Sequence, residues 1–316
     1  MQVVYQSERY EIDLHNPHHP NLVVTFDYWE RGKTGLAPSR PLPFIAVSSR
    51  AELRIRTRDN DWFLSDELEA LMQAVSETAG RYAHVINYGS SMGGFGALLF
   101  SKASRARAVY IISPQYSIDR TLVPFEKRWA EEAAALSRQA VRPETFGSPD
   151  IGGIMVFDPT FALDRLQADL IERAFPRITP LKLSFAGHPA VLDLWQAGVI
   201  GTMGRDIVKG TATAQSIRAL QKSVCRDSGR YWCVLGEAAG TRRPDLARNA
   251  FRKVLSLASA TQPNFVFRAC AGLSELGDHS GLSIMREIHD STEQKPPWWS
   301  KALRRAARDK ANTKQD

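Results

Sequence analysis

Cysteine is scarce in this sequence, and its positions exclude two common ways of stabilising a fold. The chain has 316 residues and only three cysteines, Cys225, Cys233 and Cys270, all in its C-terminal part. An odd number does not complete a disulfide framework, and these spacings fit none of the zinc-binding patterns. We therefore expect reduced, mostly buried thiols, no bound metal and no cofactor.

Long apolar runs are also missing. No stretch approaches the ~20 apolar residues that span a bilayer. Residues 1–8 lack the basic and apolar regions of a secretory signal peptide. The sequence therefore predicts a cytoplasmic protein without a transmembrane segment.

Excess charge of one sign is small. The formal net charge is +7, and residues 301–316, with six Lys or Arg and two Asp, supply +4 of it. The rest of the chain is only slightly basic, so charge alone predicts no nucleic-acid partner. Arginines between positions 50 and 58 are expected on a solvated face, with reception of an anionic substrate as the alternative. These are Arg50, Arg54, Arg56 and Arg58.

What the chain does contain is an alternation of strand and helix patterns over residues 1–205. Apolar runs predict strands, and apolar residues at helical spacing predict helices between them. The predicted strands are 10–14 at an edge, 22–26, 44–48, 84–88, 108–112, 154–157 and 181–185. Residues 125–149 are expected to form a helical lid. This pattern predicts an α/β fold with a mostly parallel, doubly wound sheet.

A Gly-x-Ser-x-Gly sequence, formed by Gly89, Ser91 and Gly93, follows the strand at 84–88. A helix of small residues is predicted directly after it. This is the strand–turn–helix context of a nucleophile elbow, in which the central serine is exposed at the end of the sheet. Glycines are needed on both sides because a side chain there would crowd the strand or the helix.

Candidate partners for Ser91 follow two later strands. A serine is a poor nucleophile without a base to take its proton. His188 comes directly after the last predicted strand, and Asp158 directly after the strand before it. Asp164 is the alternative acid. Asp158 is preferred because Asp164 stands where a helix favours an N-terminal carboxylate.

With this elbow, and with Ser91, Asp158 and His188 in that chain order, the sequence resembles the α/β-hydrolase superfamily over roughly residues 10–205. The resemblance implies that Ser91 attacks an acyl carbonyl and that His188 acts as general base and then as acid. It also implies that Asp158 sets the tautomer of His188 and stabilises its charged form.

The same resemblance implies an oxyanion hole built from two backbone amides. One is the amide of Met92, directly after the nucleophile. The other comes from the loop after the strand at 22–26, where Phe26 heads the candidates and Asp27 and Tyr28 are the alternatives.

The region from 206 to 292 is expected to be all-helical. Phe265 follows Tyr231 by 34 residues, which is the period of the tetratricopeptide repeat, and the neighbouring apolar positions repeat with them. A plain helical extension is the equal alternative. If the repeats are real, they imply a protein or peptide partner. Residues 293–316 are expected to be a basic, flexible tail.

Together these features predict a serine hydrolase or acyltransferase that acts on an ester-like bond through an acyl-enzyme. The expected substrate is a small-molecule or saccharide ester. The alternative is a non-catalytic interaction protein that keeps a hydrolase-like scaffold as a platform for helical repeats.

Overall fold

The computed structural model describes residues 1–48 and 50–312, and these divide into two compact units. The first, the sheet unit, comprises Met1–Ser184 and His188–Gln221. The second, the helical unit, comprises Phe185–Gly187 and the chain from Lys222 onward.

Within the described residues, the sheet unit contains one eight-stranded sheet in the order β1-β2-β4-β3-β5-β6-β7-β8. The strands are β1 (Gln2–Gln6), β2 (Tyr10–His15), β3 (Asn21–Phe26), β4 (Ala51–Thr57), β5 (His84–Ser90), β6 (Ala108–Ile112), β7 (Gly152–Phe157) and β8 (Ile178–Lys182). The β1–β2 and β2–β4 pairs are antiparallel, and every later pair is parallel. The predicted fold class, a mostly parallel α/β sheet, is confirmed.

Helices connect and cover these strands. They are α1 (Pro43–Val47), α2 (Leu68–Ala79), α3 (Met92–Leu99), α4 (Ala130–Ala135), α5 (Pro143–Phe146), α6 (Ala162–Ala174), α7 (Leu192–Gln196), α8 (Ile200–Lys209) and α9 (Ala214–Val224). Helix α2 buries the apolar residues of one face: Leu68, Leu71 and Val75 are fully buried at helical spacing.

Two segments before residue 60 differ from the prediction. Residues 44–48 are expected as a strand, but residues 44–47 belong to the short helix α1 and Ser48 caps it; Pro43 favours a helix start, and Phe44 and Ile45 are buried. Short apolar runs do not distinguish a buried helix from a strand. Residues 51–57 form β4, and residues 10–15 form β2, which pairs with β4 on one side and with β1 on the other; β2 is therefore not at an edge of the sheet, as was predicted for residues 10–14.

The arginines of β4 are correspondingly buried in ion pairs rather than solvated. Arg56 is 3% exposed and contacts Glu11 and, at 2.7 Å, Asp13 on β2. Arg54 lies 3.4 Å from Asp27. Arg56 therefore pairs β4 with β2, and Arg54 pairs β4 with the residue that follows β3.

The helical unit continues with α10 (Gly229–Ala239), α11 (Pro244–Ser256), α12 (Pro263–Glu275), α13 (Leu282–Ser291) and α14 (Pro297–Asn312). Each helix packs against the next, α10 also packs against α12, and α12 against α14. Its core includes Phe267, whose ring stacks on Trp299 at 4.3 Å, and Phe251, which fills the space left by Gly236 and Gly272.

The observed boundaries differ from those expected at 205 and 293. A boundary at 205 would cut α8, whose Ile207 and Val208 are buried in the sheet unit. Residues 297–312, expected as a tail, form α14, and Trp299 and Ala306 are buried in the helical unit. The expected tail also includes residues 313–316, which lie outside the described residues. Among the helices described, none is long and apolar enough to cross a bilayer.

Candidate active site

The turn between β5 and α3 holds Ser91 in an unusual backbone conformation. Its φ is 53° and its ψ is −121°, and α3 begins at the next residue, Met92. Such a conformation costs a non-glycine residue about 1–3 kcal/mol, so the surrounding contacts must enforce it. The amide of Ser91 donates to the carbonyl of Ile112 at 2.9 Å, which anchors the turn to β6.

Gly89 and Gly93 leave no room for side chains. A Cβ at Gly89 would overlap the carbonyl of Gly93, and a Cβ at Gly93 would lie 2.8 Å from the carbonyl oxygen of Phe26. The sharp turn thus requires both glycines, and α3 approaches the end of β3 closely because Gly93 has no side chain.

His188 brings a ring nitrogen to the serine. Its Nε2 lies 3.4 Å from the Oγ of Ser91. This separation is at the long end of a hydrogen bond, as is common at catalytic sites before substrate binds. Ser91 is 8% exposed and the side chain of His188 is 21% exposed, so the pair is partly open to solvent.

The carboxylate beside His188 is that of Asp164. Its Oδ2 lies 2.6 Å from Nδ1 of His188, and the side chain is 1% exposed. The preferred acid, Asp158, is engaged elsewhere: its Oδ1 accepts hydrogen bonds from the amide and the hydroxyl of Thr160, at 2.8 and 2.6 Å. Because Asp164 and Ser91 face the two ring nitrogens of His188, no ring nitrogen is left for Asp158.

Helix α6 explains why Asp164, and not Asp158, contacts His188. Asp164 does stand in its first turn, as the sequence indicates, but its side chain is directed into the protein. Asp158 comes directly after β7 and stabilises the turn that leads to the helix, because its carboxylate accepts the amide two residues later. The two carboxylates therefore have the reverse of the expected environments.

Arg128 contacts the other oxygen of Asp164. Its Nη1 lies 2.8 Å from Oδ1 of Asp164, and its Nη2 lies 2.7 Å from Oε2 of Glu126. Burial raises the pKa of Glu126, but the hydrogen bonds and charge of Arg128 outweigh it, so the pKa of Glu126 is lowered overall.

Two aromatic rings flank this cluster, and one of them, Trp129, lies in the segment 125–149 where a lid was predicted. Trp129 and Phe161 lie 6.4 and 6.1 Å from the His188 ring, measured between centroids. The Arg128 guanidinium lies 4.2 Å from the Trp129 ring and 5.5 Å from the Phe161 ring. The aromatic pair thus packs against both the imidazole and the guanidinium.

Gln115 contacts the serine from a different side. Its Nε2 lies 3.2 Å from the Oγ of Ser91 and also donates to the carbonyl of Ser113 at 3.2 Å. The side chain is fully buried. Its Oε1 also lies 3.3 Å from the Oγ of Ser91, so the amide group of Gln115 can act both as donor and as acceptor for the serine hydroxyl.

The backbone amides predicted to form an oxyanion hole differ in the hydrogen bonds they already make. The amide of Met92 belongs to the first turn of α3, where no intrahelical acceptor exists. The amide of Asp27 donates to the carbonyl of Ile55 on β4 at 3.1 Å. Because amides alternate between the two neighbours of a strand, that of Phe26, the last residue of β3, is directed towards β5.

Sequence reasoning missed Arg128, Glu126 and Gln115. Arg128 and Glu126 lie in a segment without strand character, and nothing in their spacing relates them to the elbow. Gln115 does carry a signal, because it follows β6 by three residues and so lies at the same sheet edge as Ser91.

Within residues 1–48 and 50–312, no group of three His, Cys, Asp or Glu side chains is arranged to hold a metal ion.

Comparison with known proteins gives structural likeness only. No protein-family profile matches the chain, and no curated protein does. A capsule O-acetyltransferase of Neisseria meningitidis serogroup A superposes over 65% of this chain and 93% of its own, with 12% identity and a TM-score of 0.46. Carboxyl esterase 2 of Tuber melanosporum covers 64% and 83%, with 15% identity and a TM-score of 0.37.

An α/β hydrolase from a Medee basin deep-sea metagenome library covers 71% of this chain and 98% of its own, with 12% identity and a TM-score of 0.39. The sheet unit itself is a mostly parallel eight-stranded α/β sheet. At such identities and overlaps these proteins carry no argument about activity or substrate. The function is therefore argued from the site.

Proposed function

We propose that this protein is a serine-dependent ester hydrolase or acyltransferase, with Ser91 as nucleophile, His188 as base and Asp164 as acid. The observation that supports it is the continuous line of contacts from Oγ of Ser91 to Nε2 of His188 and from Nδ1 of His188 to Oδ2 of Asp164. Nucleophile, base and orienting carboxylate then stand in the order that acyl transfer needs.

In the proposed reaction, Oγ of Ser91 attacks the acyl carbonyl while its proton passes to Nε2 of His188. The buried carboxylate of Asp164 stabilises the imidazolium that forms. The carbon–oxygen bond of the ester then breaks, the leaving alcohol takes the proton from His188, and an acyl group stays on Ser91. Water or a hydroxyl of an acceptor completes the cycle through the same base.

The oxyanion of the tetrahedral intermediate would be held by two amides. Met92 supplies the first, as the sequence predicts. For the second we favour Tyr28 over Phe26, because Thr25 still pairs with Tyr88 and this keeps the amide of Phe26 in the ladder between β3 and β5. Removing one such donor typically raises the barrier by about 3–4 kcal/mol.

Labelling with a fluorophosphonate probe tests the proposal. The wild-type protein should become covalently modified at Ser91, and Ser91→Ala should remain unlabelled. Ser90→Ala is the matched control, since Ser90 is the neighbouring serine at the end of β5. It should label at close to the wild-type rate. A folded wild-type protein that is not labelled would contradict a serine-dependent enzyme.

A second candidate function is protein binding by the helical unit. It is favoured by buried residues that recur 34 positions apart on its helices. Gly236 and Cys270, 34 residues apart, are buried at equivalent positions of α10 and α12, and Phe251 and Met285, also 34 residues apart, are buried on α11 and α13. This is the arrangement expected of two tetratricopeptide-like repeats.

A cavity between α10, α12 and α14, lined by residues that include Glu237, Arg268 and the 43%-exposed Trp298, would be the site for a peptide. Binding of a peptide library to the full chain should be lost in Trp298→Ala, with labelling of Ser91 retained. Equal binding by this variant would contradict the second candidate.

A further inference from the structure

A chain of buried polar contacts leads from the candidate acid back to the candidate nucleophile. Its first link is Arg128, which joins Asp164 to Glu126. Glu126 is 2% exposed, and its carboxylate also receives Nε of Arg128 at 2.9 Å. The guanidinium is thus held in a two-pronged contact by Glu126 while one prong reaches Asp164.

The next link is Gln167, which is fully buried on α6. Its Nε2 donates to Oε2 of Glu126 at 3.1 Å and to the carbonyl of Ser117 at 2.8 Å. Its Oε1 accepts the amides of Tyr116 and Ser117, at 2.7 and 3.3 Å. The side chain of Gln167 therefore fixes the segment that directly follows Gln115.

Gln115 closes the chain, because its amide group contacts the Oγ of Ser91. The contacts consequently close into a ring. In order, its members are Ser91, His188, Asp164, Arg128, Glu126, Gln167, the backbone that follows Gln115, and Gln115 itself. Most members of this ring are buried, and such paired networks are rigid, since a buried member would be left unsatisfied if its neighbour moved.

We propose that Arg128 is a positioning residue for Asp164, and that Glu126 and Gln167 tie it to the segment carrying Gln115. This inference rests on the proposed function. Asp164 offers Oδ1 to Arg128 at 2.8 Å and Oδ2 to His188 at 2.6 Å. With one oxygen held by a guanidinium, the carboxylate cannot rotate, and the other oxygen stays directed at the imidazole.

The experiment replaces Arg128 by alanine and measures kcat and KM for a nitrophenyl ester. Losing an orienting partner of this kind should lower kcat by about 10–100-fold and leave KM within about threefold. Guanidinium chloride at a low, non-denaturing concentration should restore a large part of the rate, and sodium chloride at the same ionic strength should not.

Arg138→Ala is the matched control. Arg138 makes the same two-pronged contact, with Glu69 at 2.7 and 2.5 Å, but Glu69 lies at the surface of the sheet unit, with 61% of its side chain exposed. Its kcat should stay within about twofold of the wild type, because an exposed pair contributes little. A similar loss in both variants, or an unchanged rate in Arg128→Ala, would overturn the assignment.

A second readout does not depend on activity. The proton on Nδ1 of His188 should give a far-downfield NMR signal in the wild type, and Arg128→Ala should lose or shift it. If the wild type fails to react with ester and probe, the proposed function fails, and this signal alone decides the positioning role. If Arg128→Ala does not fold, Arg128→Lys replaces it: a partial loss of rate supports the role, and an unchanged rate overturns it.

Discussion

The two units of this protein bury different kinds of side chain. In the sheet unit, charged groups such as Asp13, Arg56, Glu126 and Asp164 are nearly inaccessible and paired with one another or with neighbours. Pairs of this kind are costly to bury and contribute little net stability compared with apolar packing.

In the helical unit, the core instead consists of apolar and aromatic side chains, including Phe251, Phe267 and Trp299. Ion pairs there lie near the surface: Arg305 and Glu275 are 59% and 58% exposed. This difference between the two units indicates which of them is suited to carry a catalytic site. Buried ion pairs are concentrated in the unit that carries Ser91, while the core of the helical unit is mostly apolar and aromatic.

The largest expected effect separates the two carboxylates of the sheet unit. Asp164→Asn should lower kcat/KM by about 10³–10⁴-fold, because an amide beside Nδ1 no longer sets the tautomer of His188. Asp158→Asn is the matched control and should change kcat/KM only a few-fold, since an asparagine oxygen still accepts from Thr160. Steady-state kinetics decide between them. The reverse order of losses would return the acid role to Asp158.

Next in size is a change to the core of the helical unit. Phe251→Ala should destabilise this unit by about 3–5 kcal/mol, because the ring fills the space between Gly236 and Gly272. Chemical denaturation followed by circular dichroism measures this loss.

The fluorophosphonate labelling rate per folded molecule should stay the same in Phe251→Ala. Leu246→Ala, at a 38%-exposed position of α11, serves as control and should change stability by no more than about 0.5 kcal/mol. A labelling rate per folded molecule that falls clearly in Phe251→Ala, but not in Leu246→Ala, would contradict the contrast between the units.

The smallest expected effect concerns a surface carboxylate of the helical unit. A hydrogen bond from the Ser280 side chain, partly opposed by burial, lowers the pKa of Asp278 to about 2, and Arg252 at 2.8 Å adds to it. Since the folded pKa is depressed, the stabilisation is present above the unfolded pKa and is lost as pH falls through about 2.

Asp278→Asn should therefore unfold slightly more easily than the wild type at neutral pH, by about 1 kcal/mol or less. The difference in stability between the two proteins should disappear in acid. High salt should reduce it, because salt screens the pair with Arg252. Thermal melting at several pH values checks this. A gap that widens as pH falls would contradict the assigned direction.

The elbow was predictable because its constraints are local. Gly89 and Gly93 leave no room for side chains in the turn, and the strand before Ser91 runs from His84 to Ser90, two residues beyond the apolar run. The choice between Asp158 and Asp164 was not, because both carboxylates follow β7 closely. Only the direction of each side chain, set by the packing of α6, distinguishes them.

Residues 44–48 show the same limit at the level of the fold. The run is apolar and short, so its periodicity fits a strand as well as a helix. Its helical form follows from packing, since α1 lies against α8, and the Phe44 ring occupies the space that a side chain at Gly204 would fill. That partner lies far along the chain.

The sequence alone determined the parallel α/β architecture and the tight Gly-x-Ser-x-Gly turn, and it predicted His188 close to Ser91, because period, turn chemistry and strand order act over short stretches. The tertiary structure decided the partner of His188, the buried chain from Asp164 through Arg128 to Gln115, and the boundary between the units. These depend on which side chains from distant segments meet at one sheet edge, and the free energy of such contacts exists only once the chain has folded.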